Sequence, residues 1–329
     1  MTEISQTVGN YEFLGVVDKP TAGVTYKVRN LTTGEFEVLR ALPGASYGDA
    51  ESLQRFMREI KVHTRLSHPN IVAFHDALEL DGHLVMTAEY VDGTTLAEFC
   101  RRGPLSSAEA MRIICEVLSG LEEAHALGIV HRGITAEHVV VTPEGKVKLG
   151  GFGLAKPAND VNLTQAGAVL GDTRYISPEQ VKATGALDGR ADLYSVGVLL
   201  FHALTGRVPF DGPNDFDIMV AQVSKQAERP SSRNPGISPE LDSVVLTALA
   251  KKPEDRFSSA RDFRTALAAL NGPVKVTTQP AATVEKMAEA AAPQFLTQAE
   301  AGGTRKTGIV VAVVCAVIGL IVLFLLVMR

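Results

Sequence analysis

Short runs that alternate apolar and polar residues fill the first part of the chain, with turn residues between them. Because successive side chains of a strand point to opposite faces, these runs predict β-strands at residues 11–17, 24–30, 36–41, 71–78 and 83–90. One stretch differs: Leu53, Phe56, Met57 and Ile60 are three to four residues apart, which predicts an amphipathic helix over about residues 50–66. We therefore expect a small β-rich unit up to about residue 91.

Beyond Leu96 the spacing of apolar residues becomes that of helices. The segment Ser106-Ser107-Ala108-Glu109 has the form of a capping box, and one apolar helical face continues from it as far as Gly128. Short strands are predicted at residues 139–141 and 147–149, and helices at 192–205, 215–226, 239–250 and 259–270. The pattern predicts an α+β fold with a small β-rich lobe, a larger helical lobe and a cleft between them.

Residues 308–328 carry no charge and are mostly Val, Ile, Leu and Ala. As a helix they would extend roughly 32 Å, which is enough to cross a hydrocarbon core about 30 Å thick. A buried helix of a soluble core is the alternative, but such helices keep a polar stripe and this run has none. Arg305 and Lys306 precede the run, so the positive-inside rule predicts that the long N-terminal part before it is cytoplasmic.

The remaining segments are predicted to be connections. Residues 271–304 are rich in Ala, Thr, Gln and Pro and predict a flexible linker to the anchor at 305–329, whereas the polar residues 1–10 predict an N-terminal tail without a secretory signal. Gly308, Ala312 and Ala316 are four residues apart. This stripe of small residues indicates either a homodimer that forms through the membrane helix or only the high content of small residues that is ordinary in such helices.

Composition narrows the class of partner and compartment. The net charge of −5, without a basic block, argues against nucleic acid as a partner. The cysteines, Cys100, Cys115 and Cys315, have no CxxC spacing, so neither a disulfide framework nor a zinc site is predicted, and a reducing cytosol fits.

Within residues 11–270 a series of short motifs follows in a fixed order. Together they resemble the protein-kinase fold, in particular that of bacterial serine/threonine kinases related to the eukaryotic ones. The resemblance implies an N-lobe at about 11–91 and a C-lobe at about 92–270. The motifs are Tyr26-Lys27-Val28, Glu59, His68-Pro69-Asn70-Ile71-Val72, Glu89-Tyr90-Val91, His131-Arg132, Phe152-Gly153-Leu154, Ser177-Pro178-Glu179, Asp192 and Arg256.

The resemblance also implies where reactive groups would lie, and most of them are replaced. The family's catalytic aspartate corresponds to Gly133, a phosphate-contacting lysine to Thr135, and the two metal ligands to His138 and Gly151. Neighbouring carboxylates, Glu137 or Asp172, could in principle swing inward to replace the base. Mg²⁺ binding is not expected from this set.

The candidate nucleotide contacts are weakened in the same way. Of the glycine-rich turn that covers the phosphates only Gly23 remains, and Arg40 replaces the strand lysine. Arg40 is expected either to form a structural ion pair with Glu59 or to form a solvated pair of no consequence. The other candidate contacts are Val38, which would narrow the adenine slot, Val140, Glu89 and Val91. At most, weak ATP binding is expected.

Several residues with structural roles in the family are kept. Phe74, His131 and Phe152 match three of four side chains that stack between the lobes, and His63 occupies the fourth position, which is normally apolar. The resemblance further implies that Asp192 holds the catalytic-loop backbone and that Glu179 and Arg256 form a buried ion pair.

These expectations favour a membrane-anchored pseudokinase that binds cytosolic proteins, with active kinases or their substrates as candidates. Two alternatives remain open: an atypical active serine/threonine kinase that uses ATP, and a metal-independent nucleotide sensor. Arg132 matches a residue that binds a phosphate on the activation segment, where Thr164 and Thr173 are either phosphorylation sites or ordinary loop residues.

Overall fold

A computed structural model describes residues 6–18, 24–42, 50–157, 172–183 and 187–270. In the small lobe an antiparallel sheet has the strand order β1-β2-β3-β4-β6-β5. Helix α1 lies between β4 and β5 in the chain. The bounds are β1 Gln6–Val8, β2 Tyr11–Asp18, β3 Thr25–Asn30, β4 Phe36–Ala41, α1 Ala50–His63, β5 Phe74–Leu80 and β6 His83–Glu89.

The two apolar clusters of the small lobe explain this arrangement. Tyr11, Val28, Leu39 and Val85 form one cluster within the sheet. The apolar face of α1 supplies Phe56 and Ile60 to the other, which also contains Leu42 and Met86. The 3–4 spacing seen in the sequence is therefore the face that α1 buries.

The small lobe departs from the sequence prediction at three places. Gln6–Val8 is a strand, so the sheet begins within the predicted tail. Helix α1 ends at His63, before the predicted limit of 66. Strand β5 begins at Phe74 rather than at residue 71, because the backbone on either side of Ile71 bonds to Leu149 of the large lobe instead: Leu149 N–H donates to Asn70 O and Val72 N–H to Leu149 O.

The large lobe is mainly helical and contains short strands beside the cleft. Single 3₁₀ turns lie at Ala136–His138, Phe152–Leu154, Pro230–Ser232 and Pro253–Asp255. The remaining elements are β7 Thr94–Thr95, α2 Leu96–Arg102, α3 Ser107–Ala126, β8 Ile129–Val130, β9 Val139–Val141, β10 Val147–Leu149, β11 Lys156–Pro157, α4 Pro178–Lys182, α5 Gly189–Thr205, α6 Asp215–Ser224, α7 Pro239–Ala248 and α8 Ala260–Leu270.

Helix α5 is the centre of this lobe, since nearly all its residues from Ala191 to Leu204 are buried. It begins at Gly189, earlier than predicted, because the Asp188 carboxylate accepts a hydrogen bond from Arg190 N at 2.9 Å and caps the helix. Helix α2 was not predicted. A reciprocal capping box between Thr95 and Glu98 starts it.

The predicted capping box at Ser106 is only half formed. Ser106 Oγ accepts from Glu109 N at 3.2 Å, as expected. The Glu109 carboxylate instead binds the Arg112 guanidinium, with both of its oxygens, at 2.7 and 3.1 Å. The salt bridge therefore competes with the backbone for the same side chain.

Within the described ranges, no helix is both long and apolar enough to cross a membrane. The predicted linker at 271–304, the predicted membrane helix at 308–328 and its possible homodimer face lie outside those ranges, as do Gly23 and Thr164.

Candidate functional site

The cleft between the lobes contains the predicted ion pair of Arg40 and Glu59. Arg40 Nη1 on β4 donates to Glu59 Oε1 on α1 at 2.5 Å, and the Glu59 side chain is 5% exposed. Burial raises the pKa of Glu59 and the nearby Arg40 charge opposes that rise. The pair also lies against the backbone of Gly153, where an added Cβ would be 3.2 Å from Glu59 Oε1 and 3.3 Å from Arg40 Nη1. Arg40 is therefore structural here and is not a solvated surface charge.

The predicted stack between the lobes is present as a continuous column. Ring centroids of His63 lie 6.3 Å from Phe74 and 5.7 Å from Phe152, and Phe152 lies 4.3 Å from His131. Burial lowers the pKa of both His63 and His131 to about 4, so both rings are neutral at pH 7. An apolar column can accept a histidine in this way because the neutral ring has no net charge to desolvate.

Asp192 holds the loop between β8 and β9, as predicted. Its carboxylate accepts from His131 N at 2.9 Å and from Arg132 N at 2.8 Å. Arg132 has a φ of 66°, a left-handed conformation that costs about 1–2 kcal/mol in a residue with a side chain. The two bonds to Asp192 stabilise that conformation. His125 Nε2 lies 2.8 Å from the same carboxylate, although sequence reasoning gave His125 no role.

The first position expected to carry a reactive group, 133, is a glycine and has no side chain. Gly133 is buried, and its N–H donates to His131 Nδ1 at 3.3 Å. His131 Nε2 lies 2.9 Å from Gly150 O, which can only accept, so the proton is on Nε2. Both ring nitrogens of His131 are therefore used in hydrogen bonds to the backbone, at Gly133 and at Gly150. Thr135, at the position of the family's lysine, is buried.

The two positions expected to hold a metal ion contact each other directly. His138 Nδ1 donates to Gly133 O at 2.7 Å, and this bond fixes the ring. Gly151 has a φ of 78°, and a Cβ placed there would lie 2.4 Å from His138 Cγ, 2.5 Å from Cδ2 and 2.6 Å from Nδ1. The imidazole of His138 thus occupies the space that any side chain at position 151 would need.

Of the two neighbouring carboxylates considered as a base, one is bound to an arginine and the other is exposed. Asp172 accepts hydrogen bonds from Arg174 Nε and Nη2, at 2.8 and 2.5 Å. Glu137 is exposed on the 3₁₀ turn Ala136–His138. Among the described residues no cluster of three His, Cys, Asp or Glu side chains could hold a metal ion. Gly133, His138 and Gly151 offer one imidazole and no oxygen ligand from a side chain, so Mg²⁺, which prefers carboxylates, does not fit this set.

The candidate nucleotide contacts lie around the same cleft. Val38 on β4 is opposite Ala88 on β6, and Val140 on β9 packs so closely on Gly93 that a Cβ there would be 2.8 Å from Val140 Cγ1. Val91 is half-buried. The Glu89 carboxylate is already engaged in contacts within the protein: its Oε2 accepts from Lys148 Nζ at 2.8 Å and from Ala73 N at 3.1 Å. This ion pair joins the end of β6 to β10, and Lys148 had not been identified from the sequence.

Three further contacts fix the segment at 172–183. The predicted pair of Glu179 and Arg256 is bidentate, with both distances 2.7 Å and no exposed surface on the Arg256 side chain. Thr173, one of the two threonines considered for phosphorylation, is buried, and its hydroxyl donates to Asp215 at 2.8 Å. Gln180 Nε2 donates to Arg132 O at 2.9 Å, a contact that no sequence pattern indicated.

A β-rich lobe with a strand–helix ion pair, joined across a cleft to a helical lobe by a stacked column of rings, defines a protein of the kinase class. A model described as the protein kinase domain matches residues 11–268. The chain therefore belongs to the protein kinase family, and the resemblance stated from its motifs is confirmed.

The similar proteins are bacterial serine/threonine kinases. The chain is 34% identical to serine/threonine-protein kinase pkn3 of Myxococcus xanthus, over 79% of this chain and 50% of that protein. It is 33% identical to PrkC of Bacillus subtilis, over 78% and 39%, respectively. The chain thus aligns with half or less of the length of these relatives. A crystal structure of the Mycobacterium tuberculosis PknI kinase domain, 29% identical, superposes with a TM-score of 0.63 and covers 82% of this chain and 98% of that one.

Proposed function

We propose that this protein is a catalytically inactive member of the kinase family that works by binding cytosolic proteins at a membrane. The observation that carries the proposal is the contact between His138 and Gly151. The ring of His138 fills the space of a side chain at position 151, and no side chain exists at position 133. Among the described residues, positions 133, 138 and 151 therefore offer neither a carboxylate base nor a side-chain oxygen ligand for a divalent ion.

The expected loss of rate is large. A positioned general base contributes roughly 10²–10⁴-fold to an enzymatic rate. Charge stabilisation by metal ions contributes several kcal/mol more, and each 1.4 kcal/mol is about another factor of ten. Because active kinases turn over at about 1–100 per second, losing both contributions together leaves no turnover useful for signalling.

The contacts that stabilise each lobe, and the column that joins the lobes, need no ligand, which favours a binding role. The Arg40–Glu59 pair, the column from Phe74 to His131, and the Glu179–Arg256 pair are all complete among protein atoms alone. A surface whose shape does not depend on nucleotide can bind a partner continuously. Active kinases or their substrates are the candidate partners, and the apolar run at 308–328 is the proposed anchor.

Phosphate incorporation tests the proposal directly. The purified chain is incubated with labelled ATP and either Mg²⁺ or Mn²⁺, with a general protein substrate present and an active bacterial serine/threonine kinase assayed alongside. We expect no more incorporation than in the heat-denatured chain. Incorporation that disappears in Arg40→Ala or Asp172→Asn would instead establish an atypical active kinase.

The nucleotide-sensor alternative gives a different result in a thermal-shift measurement. ATP with EDTA should leave the melting temperature unchanged if the cleft has no role in nucleotide binding. A rise in melting temperature that ATP produces equally with EDTA and with Mg²⁺ would show metal-independent binding, because a ligand stabilises only the state that binds it.

A further inference from the structure

A cavity of about 400 Å³ opens beside the stacked column, between the end of α1, the loop that follows it and the start of β5. Its lining includes Leu66, Pro69 and Phe74 as apolar residues and His63, Ser67 and His68 as polar ones. None of the residues that line it is an arginine, a lysine or a carboxylate. The cavity therefore offers apolar surface and neutral hydrogen-bonding groups.

His63 brings to this lining a hydrogen-bonding group that the protein leaves unused. Its Nδ1 is buried and has no hydrogen-bond partner among the described residues, and its side-chain contacts are with the rings of Phe74 and Phe152. A half-turn of the imidazole about its Cβ–Cγ bond exchanges Nδ1 with Cδ2, so the nitrogen can be brought to either edge of the ring. Buried polar groups nearly always have a partner, and leaving one without a partner is costly. Because His63 lines the cavity, a molecule bound there can supply the missing hydrogen bond.

The second histidine of the lining differs from His63 because its ring is already engaged. His68 Nδ1 accepts from Asn70 N at 3.1 Å, and His68 Nε2 lies 3.4 Å from Ser119 Oγ. Burial lowers the pKa of His68 below its ordinary value of 6.5 and lowers the pKa of His63 to about 4, so both rings are neutral at pH 7. A ligand that fits is itself neutral, since an ion would lose water here without meeting a counter-ion in the lining.

We propose that this cavity binds a neutral aromatic alcohol, with its ring against Pro69 and Phe74 and its hydroxyl hydrogen-bonded to the His63 imidazole. A phenolic hydroxyl both donates and accepts, so it can satisfy either tautomer of a neutral histidine. The volume lies within the range of small-molecule sites, which combine an apolar lining with a few polar groups. Because the same imidazole contacts Phe74 and Phe152, a molecule bound here would act directly on the column that joins the lobes, without any nucleotide.

Histidine-selective NMR on the full chain tests the proposal, with 4-methylphenol as the probe and toluene as the same molecule without the hydroxyl. The ring signal of His63 is the one that is missing from the spectrum of His63→Leu. We expect 4-methylphenol to shift this signal saturably and toluene to bind at least about fivefold more weakly, which is the effect of one neutral hydrogen bond. Melting temperatures give the affinities of the variants, because a ligand raises the melting temperature of the state that binds it. His63→Leu keeps the apolar volume and removes the nitrogens, so it should weaken 4-methylphenol at least about fivefold and leave toluene within about twofold.

Two further variants separate the site from general effects. His83→Leu removes an exposed histidine at the start of β6 and should leave both affinities within about twofold. Ala73→Phe narrows the cavity without changing His63 and should weaken both probes, so it tests the site even if His63→Leu does not fold. A shift that never saturates, equal affinities for the two probes, or no loss of 4-methylphenol affinity in either His63→Leu or Ala73→Phe would overturn the proposal and leave the His63 nitrogen to water alone. These results are separable from phosphate incorporation, since no nucleotide is present.

Discussion

The contact between His138 and Gly151 predicts a specific pattern of stability changes when either residue is replaced. Gly151→Ala places a Cβ on a backbone with φ of 78°, which costs about 1–2 kcal/mol by itself. The Cβ also forces the His138 ring away, and the ring then loses its 2.7 Å hydrogen bond to Gly133 O, worth about 1 kcal/mol. We expect a total loss of about 2–4 kcal/mol in the free energy of unfolding, with repacking of the ring included.

The measurement is a double-mutant cycle in thermal or denaturant unfolding. In a His138→Ala background the ring is absent, so Gly151→Ala should cost only the backbone contribution of about 1–2 kcal/mol. The coupling energy between the two positions should therefore be about 1–2 kcal/mol, within the range for residues in contact. For a domain of this size each kcal/mol lowers the melting temperature by about 2–4 °C.

Gly34 provides a matched control, because its φ is also 78° and a Cβ there would meet nothing within 4 Å. Gly34→Ala should cost about 1–2 kcal/mol and should be insensitive to His138→Ala. If Gly151→Ala costs no more than Gly34→Ala, or if His138→Ala fails to reduce its cost, the ring does not fill that space and the steric reasoning is refuted.

Two other predictions concern the buried charges and rings. The pKa of His63 in the folded state is about 4, against an ordinary value of 6.5. As pH falls, the unfolded chain therefore takes up the proton first, and the free energy of unfolding decreases from about pH 6.5 towards pH 4. For this ring the decrease is about 2 kcal/mol between pH 7 and pH 5. His63→Leu should reduce the dependence of melting temperature on pH over that interval, with the remainder coming from groups such as His131, and an unchanged dependence would contradict the assignment. Glu179→Ala leaves the fully buried Arg256 guanidinium without its carboxylate and should lower the free energy of unfolding by about 3–5 kcal/mol. Glu228→Ala, which breaks an exposed ion pair, should lower it by less than about 1 kcal/mol. Similar losses for the two variants in chemical denaturation would contradict this contrast.

The framework of the fold was predictable because it depends on periodicity and on motifs whose roles are local. The apolar spacing of Phe56 and Ile60 gave α1, and strands β9 and β10 have the predicted bounds. The predicted boundaries of helices and strands were wrong where another hydrogen bond competed with the expected one. The backbone around Ile71 bonds to β10, and the Glu109 side chain binds Arg112 instead of capping α3. Neither competitor is visible in the apolar pattern.

At the site, the lack of carboxylates could be predicted from the sequence, but the packing around those positions could not. The absence of carboxylates at positions 133 and 151 is a property of the sequence. The packing of His138 against Gly151 depends on a backbone dihedral and on the orientation of one ring, and the bond from His125 to Asp192 joins residues 67 apart in the chain. Lys148 lies between two buried apolar neighbours on β10, so its spacing indicated only a strand side chain.

The replaced residues of the cleft depend on one another. A glycine at 151 is the residue best suited to a φ of 78°, and its lack of a side chain leaves room for the His138 ring. That ring in turn donates to the carbonyl of Gly133, so the segment before Ala136–His138 and the turn at Gly151 are joined through protein atoms. An aspartate at 151 alone should therefore destabilise the loop, because its Cβ would clash with the His138 ring. Under the proposed function, binding of a divalent ion through position 151 requires positions 138 and 151 to change together, because the packing of that ring opposes any side chain at 151.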